Sequence, residues 1–182
     1  MKKYYQILVM VLSLTMTSCT QIDTNFLITE GSIGPLEKHT KVADLESIFV
    51  NDSVVIDTTK FKPGGSLGKI KIFEKTGKHL LTLTSTNDSL PTIENVQVFD
   101  SRYKTQKGVG LKSNFYDISK NYKVQKVVTT YNNVVVIPKE SNIYFTIDKE
   151  ELPSTLRYTN QNIEAVQIPD QAKIKFMMIG WD

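Results

Sequence analysis

Residues 40–49 (TKVADLESIF) and residues 113–122 (SNFYDISKNY) read as one short helix written twice. Ser113 stands 73 positions after Thr40, and each is a hydroxyl residue where a helix start wants a cap. Apolar residues then follow at helical spacing: Val42, Leu45 and Phe49 in the first stretch, Phe115, Ile118 and Tyr122 in the second. Asp44 falls on Asp117 in the same register. Glycine turns precede both, Gly31-Ser32-Ile33-Gly34 and Gly108-Val109-Gly110. Beyond the helices, Val54 and Val55 fall on Val127 and Val128. A second match lies further along, where residues 93–100 (IENVQVFD) fall on residues 163–170 (IEAVQIPD) at a shift of 70. Together these matches predict two units, residues 31–106 and 107–182, each a glycine turn, a helix and about four strands.

Outside the two helices the hydrophobic period is two. Ile70 and Ile72, Leu81 and Leu83, Val96 and Val98, and Val134 and Val136 each alternate with other residues. So do Ile143, Phe145 and Ile147, and Ile174 and Phe176. β-Branched and aromatic residues dominate these runs, as half-buried strands favour. Turn residues separate them at 62–66, 75–78, 86–89 and 131–133. The expected fold is α+β: a mostly antiparallel sheet, with two short helices covering one face.

The chain opens with Lys2 and Lys3, an apolar run over residues 7–14 (ILVMVLSL), and small residues before Cys19. That is the shape of an export signal. The run is shorter than the roughly 20 residues a transmembrane helix needs. Residues 14–19 (LTMTSC) resemble the lipobox of bacterial lipoproteins, with Met16 where Leu is usual. The resemblance implies cleavage after residue 18, acylation of Cys19, and a tether over residues 19–30. Membrane attachment through that lipid follows, on a bacterial cell envelope. Thr20, where an aspartate would hold the protein back, favours the outer membrane.

Cys19 is the only cysteine, so no disulfide within the chain is expected and the domain must stand on its core. Removing residues 1–18 takes Lys2 and Lys3 from the 22 basic residues, leaving 20 against 19 acidic ones. A balanced surface of that kind gives nucleic acid nothing to bind.

No catalytic set emerges. Residues 63–70 (PGGSLGKI) have the outline of a phosphate loop, but Pro63 replaces its first glycine and Ile70 its hydroxyl residue. A strand also follows there, where a phosphate loop needs a helix. The two histidines, His39 and His79, have no partners at metal-ligand spacing, so neither a metal nor a cofactor is expected. Asp44 and Asp117 suit a helix start better than chemistry. The glycine turns at 31–34 and 108–110 suit tight chain reversal better than anion binding. Two interaction candidates remain. One is the loop with Lys62, Gly64, Gly65 and Gly68; the other is Trp181, should the apolar C-terminal strand form an exposed edge.

The duplicated glycine–helix–strand outline, with residues 98–118 (VFDSRYKTQKGVGLKSNFYDI), resembles small bacterial lipoproteins. It is also similar to the β-lactamase-inhibitor-like group, which includes outer-membrane-assembly lipoproteins of the small-protein-A type and periplasmic enzyme inhibitors. Lys38-His39-Thr40 lacks the Gly-Met-Thr turn usual there. The resemblance implies a binding or scaffolding role toward an envelope protein and carries over no catalytic residue. The rival expectations are a periplasmic inhibitor or immunity protein and, beyond it, a small-ligand-binding lipoprotein or an enzyme of unrecognised type.

Overall fold

The computed structural model describes residues 23–56 and 68–181. Cys19, Lys62, Gly64 and Gly65 lie outside the described residues, as do the signal and most of the phosphate-loop-like stretch. Gly68, at the edge of that gap, leads directly into a strand.

Eight strands form the main sheet: β4 (Asp52–Ile56), β5 (Ile70–Glu74), β6 (His79–Ser85), β7 (Ile93–Val98), β9 (Val124–Thr129), β10 (Asn133–Pro138), β11 (Ile143–Asp148) and β12 (Ile174–Gly180). Their order is β4-β5-β6-β7-β12-β11-β10-β9, antiparallel throughout. Each half is thus a four-strand meander, and the last strands of the two meanders, β7 and β12, pair in the middle. Short strands β1 (Leu27–Ile28), β2 (Ser32–Ile33), β3 (Leu36–Glu37) and β8 (Lys104–Thr105) make a second sheet in the order β3-β2-β1-β8. The helices are α1 (Leu45–Ile48), α2 (Phe115–Asn121) and α3 (Ser154–Arg157). The α+β class and the antiparallel sheet are as the period-two runs predict.

Alternation sorts the side chains by face. One unbroken row of cross-strand neighbours reads Val54, Ile72, Leu81, Val98, Met177, Phe145, Val136, Val127. Its six central members are buried, and Val54 and Val127 pack against them at the two edges. Onto this inner face fold Leu45 and Phe49 of the first helical stretch, and Phe115 and Ile118 of α2. Ile28, Ile33, Leu36, Tyr103 and Val109 of the small sheet and its turns join the same core.

Both helix starts differ from the sequence reading, the second by one residue and the first by four. Asn114, not Ser113, caps α2: its Oδ1 accepts the Asp117 N–H at 3.1 Å, and Asp117 accepts the Asn114 N–H in return. Asp117 is half of a capping box rather than a free dipole charge. Ser113 Oγ instead accepts the Gly110 N–H. In the first stretch a 3₁₀ turn, Val42–Asp44, precedes the four-residue α1, and the Thr40 hydroxyl donates to the Glu37 carbonyl rather than capping. Of the glycines before the helices, Gly34 and Gly110 are required by close approach. Gly34 has a positive φ and its Cα lies against the Asn25 carbonyl; a Cβ on Gly110 would stand 2.6 Å from the Tyr103 carbonyl oxygen.

Two further expectations are overturned. Residues 163–170 do not form the counterpart of β7. They run outside the sheet through a 3₁₀ turn, Ala165–Gln167, and Val166 is 89% exposed where Val96 is fully buried. Pro169 has no N–H for a ladder, and Glu164 and Gln167 satisfy each other's backbone in a box of their own. β12, further along, takes the place of β7. On β12 itself the inward residues are Ile174, Met177 and Ile179, not Phe176, because a register shift opposite residues 146–147 changes the phase.

Candidate functional site

Among the described residues, the outer face of the main sheet is what the fold leaves open. Its central row reads Val55, Lys71, Thr82, Gln97, Met178, Tyr144, then Ile137 and Lys126 across the far strands. None of the helices or small strands buries its apolar residues there, since these all belong to the core on the other face. Val55 is 48% exposed and Val128 39%, while Met178, Tyr144 and Ile137 are half-buried by one another. Tyr144 Oη accepts a hydrogen bond from Asn95 Nδ2 at 2.6 Å, fixing its ring against Gly180.

At one end of this face three rings stack. His79 lies between Phe73 and Phe99, with centroids 4.7 and 3.9 Å away. A register shift in β6 turns His79 onto the outer face, where Nε2 meets Thr82 Oγ1 at 3.0 Å and the Leu81 carbonyl at 3.1 Å. Burial in this stack pushes the imidazole pKa down, so the neutral ring is favoured. His79 therefore starts a strand, as the sequence predicts, but its role is that of an aromatic plank. His39 stands apart, exposed at a positive-φ turn position.

An ionic cluster closes the neighbouring end of β6 and β7. The Asp100 carboxylate is fully buried and bonded by Arg102 at 2.5 Å and Lys78 at 2.9 Å, and Arg102 also reaches Glu74. Burial alone would raise the Asp100 pKa; the bonds from Arg102 and Lys78 override it and hold it at about 2. The Arg102 guanidinium also lies 4.1 Å over the Phe26 ring. Lys78, Asp100, Arg102 and Glu74 are all engaged with one another, tying the turn after β7 to β5 and the β5–β6 turn, and Arg102 alone also reaches the segment before β1, which marks the cluster as structural.

A cleft of about 680 Å³ opens at the far end of β9–β12. Tyr131, Asn132, Asp148, Lys149, Arg157 and Tyr158 are among the residues that line it. Lys175 ties the strands together there, bonding Asp148 Oδ2 at 2.6 Å and Asn133 Oδ1 at 3.3 Å. No motif or spacing in the sequence marked this site, because its residues come from a hairpin tip, a strand end and an irregular segment.

Neither sequence candidate gains support as a contact surface. Trp181 is 3% exposed and follows β12, a central strand rather than an edge. Gly68 is half-buried, and the rest of its loop lies outside the described residues. Among the described residues no group of three or more His, Cys, Asp or Glu stands close enough to hold a metal ion, and no helix is long and apolar enough to cross a membrane.

No protein-family model matches the chain, and no curated protein does. Among solved structures the chain is similar to the crystal structure of the uncharacterized protein yfeY from Escherichia coli. The TM-score is 0.51 at 13% identity, over 84% of this chain and 98% of that one. At that identity the likeness speaks for the fold alone.

Proposed function

We propose that the protein is a lipid-anchored envelope protein that binds or scaffolds an envelope protein through the outer face of its eight-stranded sheet. The observation that supports the reading is the contrast between faces. The inner face is filled by helices and small strands, while the outer face presents Val55, Met178, Tyr144, Ile137 and Val128 with no helix or small strand over them among the described residues. Lys71 stands toward one end of the central row and Lys126 at the other. A face on which Met178, Tyr144 and Ile137 form an apolar run between lysines suits a protein surface with an apolar centre and acidic margins. The export-signal shape of residues 1–18 and the lipobox resemblance at Cys19 support the anchoring half of the reading, and a lipid there would hold the domain close to the membrane, since the fold begins by β1.

Two variants test the halves separately. Cys19→Ala is expected to move the protein from the membrane pellet to the soluble fraction; unchanged sedimentation with the membrane would refute the anchor. A Tyr144→Arg, Met178→Glu double variant is expected to keep its melting temperature and lose the detergent-solubilised complex of the parent on native gels. Survival of that complex would remove the outer face from the reading.

A further inference from the structure

We propose that the cleft at the end of β9–β12 binds an acidic saccharide, a sugar ring carrying a carboxylate or phosphate. The inference does not depend on the partner proposed for the sheet face.

Two anomalies meet in this cleft. The first is a buried charge without a countercharge. Lys149 is 3% exposed, and its ammonium has one acceptor, the Thr159 carbonyl at 2.7 Å. Among the described residues no carboxylate lies within ion-pair distance of it. Asp148, its neighbour in sequence, is already taken: Oδ2 by Lys175 and Oδ1 by the Glu150 N–H. Arg157 likewise donates Nε to the Leu152 carbonyl at 2.9 Å and makes no ion pair among the described residues. Lys149, Arg157 and Lys175 thus face Asp148 and Glu150, an excess of one positive charge in the lining. A desolvated ammonium is costly unless paired, and a ligand anion would complete it. The remaining N–H groups of Arg157 are suited to the same carboxylate or phosphate.

The second anomaly is two bare aromatic rings. Tyr131 at the β9–β10 hairpin tip is 86% exposed, and Tyr158 after α3 is 92% exposed. Neither has a stacking, cationic or hydrogen-bonding partner among the described residues. Both line the cleft, beside the amides of Asn132 and Asn160. Exposed tyrosines present a flat apolar face and a polar tip together, which is the chemistry that holds a sugar ring. The amides can donate to and accept from its hydroxyls. A simple anion would use the cations and leave the rings idle; a neutral sugar would leave the charge on Lys149 unpaired. An acidic saccharide uses both.

Calorimetric titration of the soluble domain, residues 20–182, tests this with four probes: tri-galacturonate, maltotriose, inorganic phosphate and phosphatidylglycerol vesicles. Tri-galacturonate is expected to bind at least about tenfold more tightly than maltotriose, a gap of roughly one decade in Kd. Tyr131→Ala with Tyr158→Ala, both on exposed rings, is expected to weaken it about tenfold with an unchanged melting temperature. Arg157→Ala is expected to lower affinity for tri-galacturonate and leave maltotriose as it was. Binding of phosphate or vesicles without tri-galacturonate would overturn the saccharide assignment. So would binding that the double tyrosine variant leaves untouched, or no binding by any probe.

Discussion

The two faces of the main sheet share every strand and diverge at every second residue. On the inner face Val54, Ile72, Leu81, Val98, Met177, Phe145, Val136 and Val127 run edge to edge, and the six central members have no solvent contact to speak of. On the outer face Val55, Gln97, Met178, Tyr144 and Val128 carry comparable bulk and stay half-buried or exposed. Burying apolar area is what stabilises a domain of this size without disulfides. The outer face therefore holds apolar side chains that the fold does not need, and their cost is solvent exposure.

The comparison breaks most sharply on the inner side. Phe145→Ala should destabilise the domain by about 3–5 kcal/mol, since Phe145 is fully buried between Met177 and Val136. A urea midpoint shift near zero would mean that the row is not the core. The next effect belongs to the ionic cluster. The Asp100 pKa is about 2 in the fold against an ordinary carboxylate value near 3.8. A group lowered in this way stabilises the fold above its unfolded pKa. That contribution, on the order of 2 kcal/mol, is lost as pH falls from about 4 through 2. Asp100→Asn should flatten that part of the stability–pH curve; an unchanged acid limb would assign acid unfolding elsewhere.

Smaller still is the cap of α2. Asn114→Ala should cost about 1 kcal/mol, measured as a drop in melting temperature, because one half of the capping box is lost. Smallest is the outer face, where Val128→Ser should move stability by no more than about 0.5 kcal/mol. A large loss there would mean that the outer face is covered in the folded protein and would remove the contrast.

Alternation made the main sheet legible, because a strand with one buried face writes its period into the chain. Ile70, Ile72, Leu81, Leu83, Val134 and Val136 are all inward as that period requires. Helical spacing likewise picked out Leu45, Phe49, Phe115 and Ile118. What local pattern missed was long-range pairing. Residues 93–98 and 163–168 share Ile, Glu, Val and Gln in the same register, yet Val96 is in the core and Val166 is in water. Nothing within either stretch names the strands it will meet, and only Pro169 hinted at the difference. The bulges opposite 146–147 and within β6 were equally silent, and they move Phe176 and His79 between faces. The cleft around Lys149 was invisible for the same reason: its lining gathers from hairpin tip, turn and strand end. Its one local sign was Tyr131 and Tyr158, polar-tipped aromatics in polar surroundings.

The open outer face is the central claim, and a photocrosslinking scan in the native envelope tests it most directly. A photoreactive residue would be placed at Gln97, Tyr144 or Val128 on the outer face, and at Tyr116 on α2 as a control. One adduct of constant mass from the three outer positions, absent at Tyr116, is the expected result. Adducts from Tyr116 alone, or from no outer position, would contradict it.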